Sequence, residues 1–147
     1  MIQRIQSIYL LLATLATGGV FAFPFATTAT PVAESPLFND GIFAAKEFIG
    51  VAPLFGAAAL LSLIAIFLYS NRTMQKVMIF VCILLTISAA LFMGYTFMSD
   101  AWASSHLSEL KDQYGIGMPV FTIIFLLMAM RSINKDENLV KSMDRLR

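Results

Sequence analysis

The chain is poor in the residues that build cross-links and reactive sites. It has one cysteine, one histidine and one tryptophan. A lone cysteine excludes an intramolecular disulfide, and one Cys with one His cannot supply a zinc site built from several such ligands. Cys82 falls inside a long apolar run, where a packed thiol is expected rather than a reactive one. Charge is scarce too. Only 13% of residues are Asp, Glu, Lys or Arg while 59% are apolar, and mean hydropathy is +0.79. A soluble domain of 147 residues needs more polar surface than that. The net charge of +1 also excludes bulk binding to nucleic acid.

The scarcity is organised. Residues 5–33, 48–71, 77–99 and 113–130 contain no Asp, Glu, Lys, Arg or His. A hydrocarbon layer about 30 Å thick needs about 20 helical residues, and inside it the backbone must satisfy its own hydrogen bonds as helix. Residues 51–70 alone carry ten Leu, Ile, Phe or Val, worth roughly −3 to −6 kcal/mol in sum, whereas one central Lys would cost about 3 kcal/mol. The expected fold is therefore an all-α membrane protein, one domain with an up-down-up-down bundle of four transmembrane helices. The spans are placed at about 3–25, 49–69, 77–99 and 117–132. The last of these ends near Ser132 or passes directly into the tail. A signal peptide is the rival reading of the first run, but its apolar core exceeds the usual length of about 7–15 residues, so a retained helix is expected.

Alternating spans put Arg4, Arg72, Lys76, Arg131, Lys135, Lys141, Arg145 and Arg147 on one side, and only Lys46 and Lys111 on the other. Basic flanks stay cytoplasmic, so both termini are expected inside a cell inner (plasma) membrane. Tyr69, Trp102 and Tyr114 fall near span ends, where interfacial aromatics sit. In the first outer loop, Leu37–Phe43 places Asp40-Gly41 between apolar pairs, a signal for a small hairpin or for an irregular turn.

Small residues recur at every fourth position: Thr14, Gly18, Ala22 and Ala26 in the first span, Ala52 and Gly56 in the second, Thr86, Ala90 and Gly94 in the third. In lipid such stripes mark close helix packing, within the chain or against another subunit. No ionisable residue lies deep in a span, which weakens pump and ion-coupled transporter readings. A passive path would have to use Ser62, Thr86, Ser88 or Thr122. His106 is the one acid–base candidate, beside Asp100, Glu109 or Asp112, but no nucleophile with an orienting partner accompanies it, and no catalytic, cofactor or metal residue is assigned.

The tail 134–147 is the best-organised polar segment. Asn134 is placed to cap a helix with Glu137 three residues on, Glu137 and Lys141 form an i,i+4 pair, and Lys141, Arg145 and Arg147 suit a helix C-terminus. Leu139, Val140, Met143 and Leu146 make one apolar face, either resting on anionic lipid or docking a cytoplasmic partner.

The opening residues Met1-Ile2-Gln3-Arg4-Ile5-Gln6-Ser7-Ile8-Tyr9, the pair Asn71-Arg72 and the ending from Lys135 to Arg147 resemble the Bacteroidetes integral membrane family catalogued as domain of unknown function 4293. The resemblance spans the chain and implies a four-helix inner-membrane protein, without an activity or site residues. Claudin-like four-span proteins share a larger first outer loop but carry a paired-cysteine motif there, which this loop lacks. The expected role is a non-enzymatic accessory or scaffold subunit, partnered by the lipid bilayer and other membrane subunits. The alternative is a passive channel or carrier for small or lipidic molecules, working as a homo-oligomer. In a Cys82→Ala background, Met74→Cys and Met143→Cys should both be labelled only by reagents that reach the cytoplasm. Labelling of Met74→Cys from the periplasm, or of the two from opposite faces, would overturn this topology.

Overall fold

The structure is a computed structural model that describes residues 2–107, 110–111 and 114–144. Helix α1 spans Ile2–Ala22, strands β1 and β2 are Ala26–Thr27 and Ile42–Phe43, and a 3-10 turn covers Ala45–Glu47. Helices α2 (Ala52–Phe67), α3 (Arg72–Ser99), α4 (Ala101–Ser105) and α5 (Tyr114–Asp144) follow. Segments Ile5–Ala22, Arg72–Ser99 and Tyr114–Ser142 are long and apolar enough to cross a membrane. Helix α2 is equally apolar but has 16 residues, about 24 Å against a hydrocarbon layer of about 30 Å.

The four long helices form a ring. α1 lies between α5 and α2, α2 packs on α3, and α3 closes the ring against α5 through the least extensive of these interfaces. Leu10, Ala13, Ala65, Ile79, Cys82, Leu126, Ala129 and Ile133 fill the half nearer the chain termini. Hydroxyls engage within the apolar interior. Thr14, Thr17, Thr86 and Thr122 each donate to the carbonyl four residues back, at 2.7–2.9 Å. Thr14 also meets Ser62 at 2.8 Å and Thr17 meets Thr122 at 3.2 Å, cross-linking α1 to α2 and to α5. The Cys82 thiol is buried and points at the Ala58 carbonyl oxygen, 3.5 Å away.

Several boundaries differ from the sequence reading. α2 stops at Phe67 because the chain turns immediately: the Asn71 N–H donates to the Leu68 carbonyl at 3.0 Å, and the Asn71 side chain accepts the Met74 N–H at 3.1 Å. Asn71 thus caps α3, which starts at Arg72 rather than near Val77. α5 starts at Tyr114, so Pro119 lies inside the helix instead of in its first turn. Proline has no N–H for the carbonyl of Gly115, four residues back. No cap forms at Asn134, because α5 runs unbroken through it to Asp144.

The loop end is closed by a miniature sheet. Asp40-Gly41 does form a turn, with Gly41 at φ +79° and its N–H on the Phe38 carbonyl at 3.0 Å. The strand that follows does not fold back on residues 37–38, however. Ile42–Phe43 pairs antiparallel with Ala26–Thr27, and Thr27 bridges on to Lys111. Phe25, Phe38, Phe43 and Phe55 are buried beneath it with Val20, Val51 and Met93, their rings in tilted or edge-on contact at 5.9–6.5 Å. Burial of this aromatic set outweighs the local preference for a tight hairpin.

Gly115 is where α5 enters the bundle. Its N–H bonds the Pro24 carbonyl at 2.9 Å, and a Cβ there would overlap the carbonyl oxygens of Pro24 and Phe23. Gly115→Ala should therefore lower the thermal midpoint in detergent, at a cost of about 1–3 kcal/mol. Gly18→Ala, whose added methyl meets open space, should leave the midpoint unchanged. Equal behaviour of the two variants would refute this account of the α1–α5 junction.

Candidate functional site

Three places collect chemistry. The first is the corner between α3 and α4. Asp100 is buried, and its Oδ1 accepts the Ala103 N–H at 2.9 Å, capping α4. Its Oδ2 accepts the Ser35 hydroxyl at 2.8 Å, while Ser35 Oγ accepts the Phe38 N–H at 3.3 Å. Burial pushes the Asp100 carboxyl up, but hydrogen bonds from the Ala103 amide, the Ser35 hydroxyl and the Leu37 and Trp102 amides outweigh it. The net effect holds the carboxyl below the usual carboxylate range. His106 stacks on Trp102, with ring centroids 4.8 Å apart. Its Nδ1 lies 2.9 Å from Ser105 Oγ and 3.1 Å from the Trp102 carbonyl oxygen. The Ser105 hydroxyl points at the Ala101 and Trp102 carbonyls. Trp102 also packs on Phe38 at 5.8 Å, so it braces the loop cap. Glu109 and Asp112, the other candidate partners of His106, lie outside the described residues. Among the described residues no group of three His, Cys, Asp or Glu is arranged to hold a metal ion.

The second place is an apolar cavity of about 440 Å³ between α3 and α5 at the loop end. Met93, Gly94 and Phe97 form one wall, Ile116, Pro119, Val120 and Ile123 the other, and Phe25 and Phe43 close it above. It occupies the seam where the ring of helices is least tightly joined. Every lining side chain is apolar.

The third is the opposite end. Arg72 pairs with Asp136 at 2.8 Å and Lys76 with Glu137 at 2.6 Å, clamping the start of α3 to the extension of α5. Lys141 joins Glu137 at 2.8 Å from one turn further along. These partly exposed pairs gain strength as a linked set rather than singly. On another face of α5, Ile5 and Tyr9 of α1 meet Met128, Arg131, Ser132 and Lys135 around a cleft of about 340 Å³.

The small-residue stripes divide between inward and outward positions: Ala26 and Thr86 are buried and Thr14 meets Ser62, while the rest lie further out. Gly18 and Ala22 are exposed, Gly94 is exposed and borders the apolar cavity, and Ala52, Gly56 and Ala90 are half-buried. A Cβ at Gly18, Gly56 or Gly94 would meet nothing within 4 Å. The buried face of α1 is instead Ala13, Ala16, Thr17 and Val20, with Thr14 half-buried against Ser62 and Thr86 buried on α3. At Gly19 an added Cβ would lie 3.1 Å from Met118 Sδ, so the close approach falls one residue after the expected glycine. A four-residue repeat alone leaves that register open, since 3.6 residues per turn lets the stripe drift. In the tail, Leu139 and Val140 are exposed. Met143 lies in α5, and Arg145, Leu146 and Arg147 lie outside the described residues. Sequence reasoning missed the pairing of Ser35 with Asp100 and the α3–α5 ion pairs, which join residues about sixty apart. The i,i+4 spacing of Arg131 and Lys135 was the available signal for the basic cleft.

Three helices long and apolar enough to span a bilayer define a helical membrane protein. The family model described as domain of unknown function, DUF4293, matches residues 2–146, and the chain belongs to that family. No curated protein and no solved structure matches it.

Asp100→Ala removes both the cap of α4 and the acceptor for Ser35, and should cost about 1–2 kcal/mol. Because the folded carboxyl is more acidic than in an unfolded chain, its charge stabilises the fold above about pH 4, and this contribution fades as pH falls through the depressed pKa. Thermal midpoints measured from pH 6 to pH 3 should therefore show the advantage over Asp100→Asn shrinking on the acid side. A constant gap would contradict the assignment.

Proposed function

We propose that the chain crosses the cell inner membrane four times, through α1, α2, α3 and α5, with both termini in the cytoplasm, and serves as a non-catalytic accessory or scaffold subunit of a larger membrane complex. The placement of basic residues supports the orientation. α2 reaches across with the help of its apolar flanks, among them the fully presented Ile49, which is 93% exposed. Asn71–Lys76 then lies at the cytoplasmic face.

One observation carries the scaffold reading. α5 has 31 residues, about 46 Å, and overshoots a hydrocarbon layer of about 30 Å by three turns. The overshoot is held upright by Arg72–Asp136 and Lys76–Glu137, and it presents Leu139 and Val140 away from the bundle. A helix lying flat on lipid would not need such a clamp, whereas a rigid post with apolar side chains suits docking. Thr14, Gly18, Ala22, Ala52, Gly56, Thr86, Ala90 and Gly94 belong to this reading where they face outward, as small-residue surfaces for neighbouring helices.

A second reading, a carrier for lipidic molecules, is favoured by the apolar cavity between α3 and α5. A polar channel has less support, because Ser62, Thr86 and Thr122 are engaged with nearby groups and Ser88 bonds its own helix at the surface. Purification in mild detergent followed by mass spectrometry should find an unrelated membrane protein at fixed stoichiometry, and Leu139→Glu with Val140→Glu should reduce its recovery about tenfold or more. A lone homo-oligomer carrying a lipidic molecule would overturn the subunit reading in favour of the carrier.

A further inference from the structure

We infer that the cleft between α1 and α5 at the end of the bundle nearer the termini is a binding site for the phosphodiester headgroup of an anionic phospholipid. The inference rests on α1 and α5 crossing the bilayer, and it is independent of any protein partner.

The cations at this end fall into two groups. Arg72, Lys76 and Lys141 each end on Asp136 or Glu137. Arg131 and Lys135 do not, and among the described residues neither has a carboxylate within ion-pair distance. One turn apart on α5, both line the same cleft of about 340 Å³. Asp136 and Glu137 are already occupied by α3 and by Lys141, so among the described residues no carboxylate offsets the positive charge in the cleft.

The other lining groups match the same ligand. The Tyr9 and Ser132 hydroxyls line the cleft without a hydrogen-bond partner among the described residues. A guanidinium fork, an ammonium and two hydroxyls are thus available to one cluster of acceptor oxygens, the arrangement a phosphate diester takes up well. Ile5 and Met128 supply an apolar part to the same cleft. Beyond them, the exposed Ile8, Ile124 and Leu127 continue along α1 and α5. A free anion would leave that apolar strip unused, whereas a lipid lays its chains along it. Position agrees as well: Arg131 is the first charged residue after the run 113–130, at the depth where headgroups sit and where basic pockets between helices hold anionic lipid.

Native mass spectrometry of the detergent-purified chain, with phosphatidylglycerol or phosphatidylcholine added, reads the site directly. The unaltered chain should retain phosphatidylglycerol in preference to phosphatidylcholine, with one molecule held most tightly. Arg131→Gln with Lys135→Gln should lower that retention about tenfold, while Arg131→Lys, which keeps the charge, should keep the preference. Lys46→Gln with Lys111→Gln makes the same change in net charge at the loop end and should leave retention intact. Equal retention of the two lipids would overturn the site. An equal loss in the loop-end control would also overturn it, in favour of diffuse attraction. Displacement of phosphatidylglycerol by inorganic phosphate at similar concentration would make this a free-anion site and defeat the lipid assignment.

Discussion

In hydrocarbon a polar group that finds no partner inside the chain finds none at all, and the bundle meets this requirement at most of its buried side chains, Gln6 Nε2 and Gln75 Oε1 being left without one among the described residues. Thr14, Thr17, Thr86, Thr96 and Thr122 return their hydroxyls to the preceding turn of their own helix. Two hydroxyl pairs, Thr14 with Ser62 and Thr17 with Thr122, pass between helices, and both involve α1. That helix is accordingly the centre of the ring, packed against α2 on one side and α5 on the other. Gln75 reaches the Ala65 carbonyl, where α2 approaches its end. Where the chain departs from helix, Asn71 caps the short turn between α2 and α3, and at the loop end a sheet, an aspartate cap and an asparagine-aspartate-glycine turn take up freed backbone groups.

The two ends of the molecule solve different problems. At the loop end, four phenylalanines and Trp102 knit three separate segments into a lid, and Asp100 ties residue Ser35 of the first loop to the α3–α4 corner. At the other end, charge does the joining, through carboxylates of α5 that reach the first turns of α3. The seam between α3 and α5 is therefore uneven along its length. It is fastened by ion pairs near the termini and hollow near the lid, where Pro119, Gly94 and Ala90 leave little side-chain volume to fill it.

Much of this was legible in the residues. Three of the four long runs without charge mark helices long and apolar enough to span a membrane, the run 48–71 holds the shorter α2, and the terminal motifs point to the family. The proximity of Glu137 and Lys141 follows from their spacing alone. What local patterns could not supply were partners distant in the chain. Asp40-Gly41 marks a turn, but the strand paired with Ile42–Phe43 lies sixteen residues earlier because a buried aromatic cluster selects it. Asn134 reads as a cap in isolation, yet Asp136 and Glu137 are held by α3, and the helix carries straight on. Gly18 and Gly19 are equivalent to a pattern of small residues; only the position of Met118 distinguishes them.

The uneven seam has a mechanical consequence. With α3 and α5 pinned at one extremity, a separation that keeps the ion pairs is a swing about that pin, as of the blades of shears. A swing of about five degrees over a helix of about 40 Å displaces the far tip by about 3.5 Å, close to the width of a hydrocarbon chain, while the extension of α5 beside the pin barely shifts. A widening of the apolar cavity is thereby mechanically isolated from the outward face of the α5 extension.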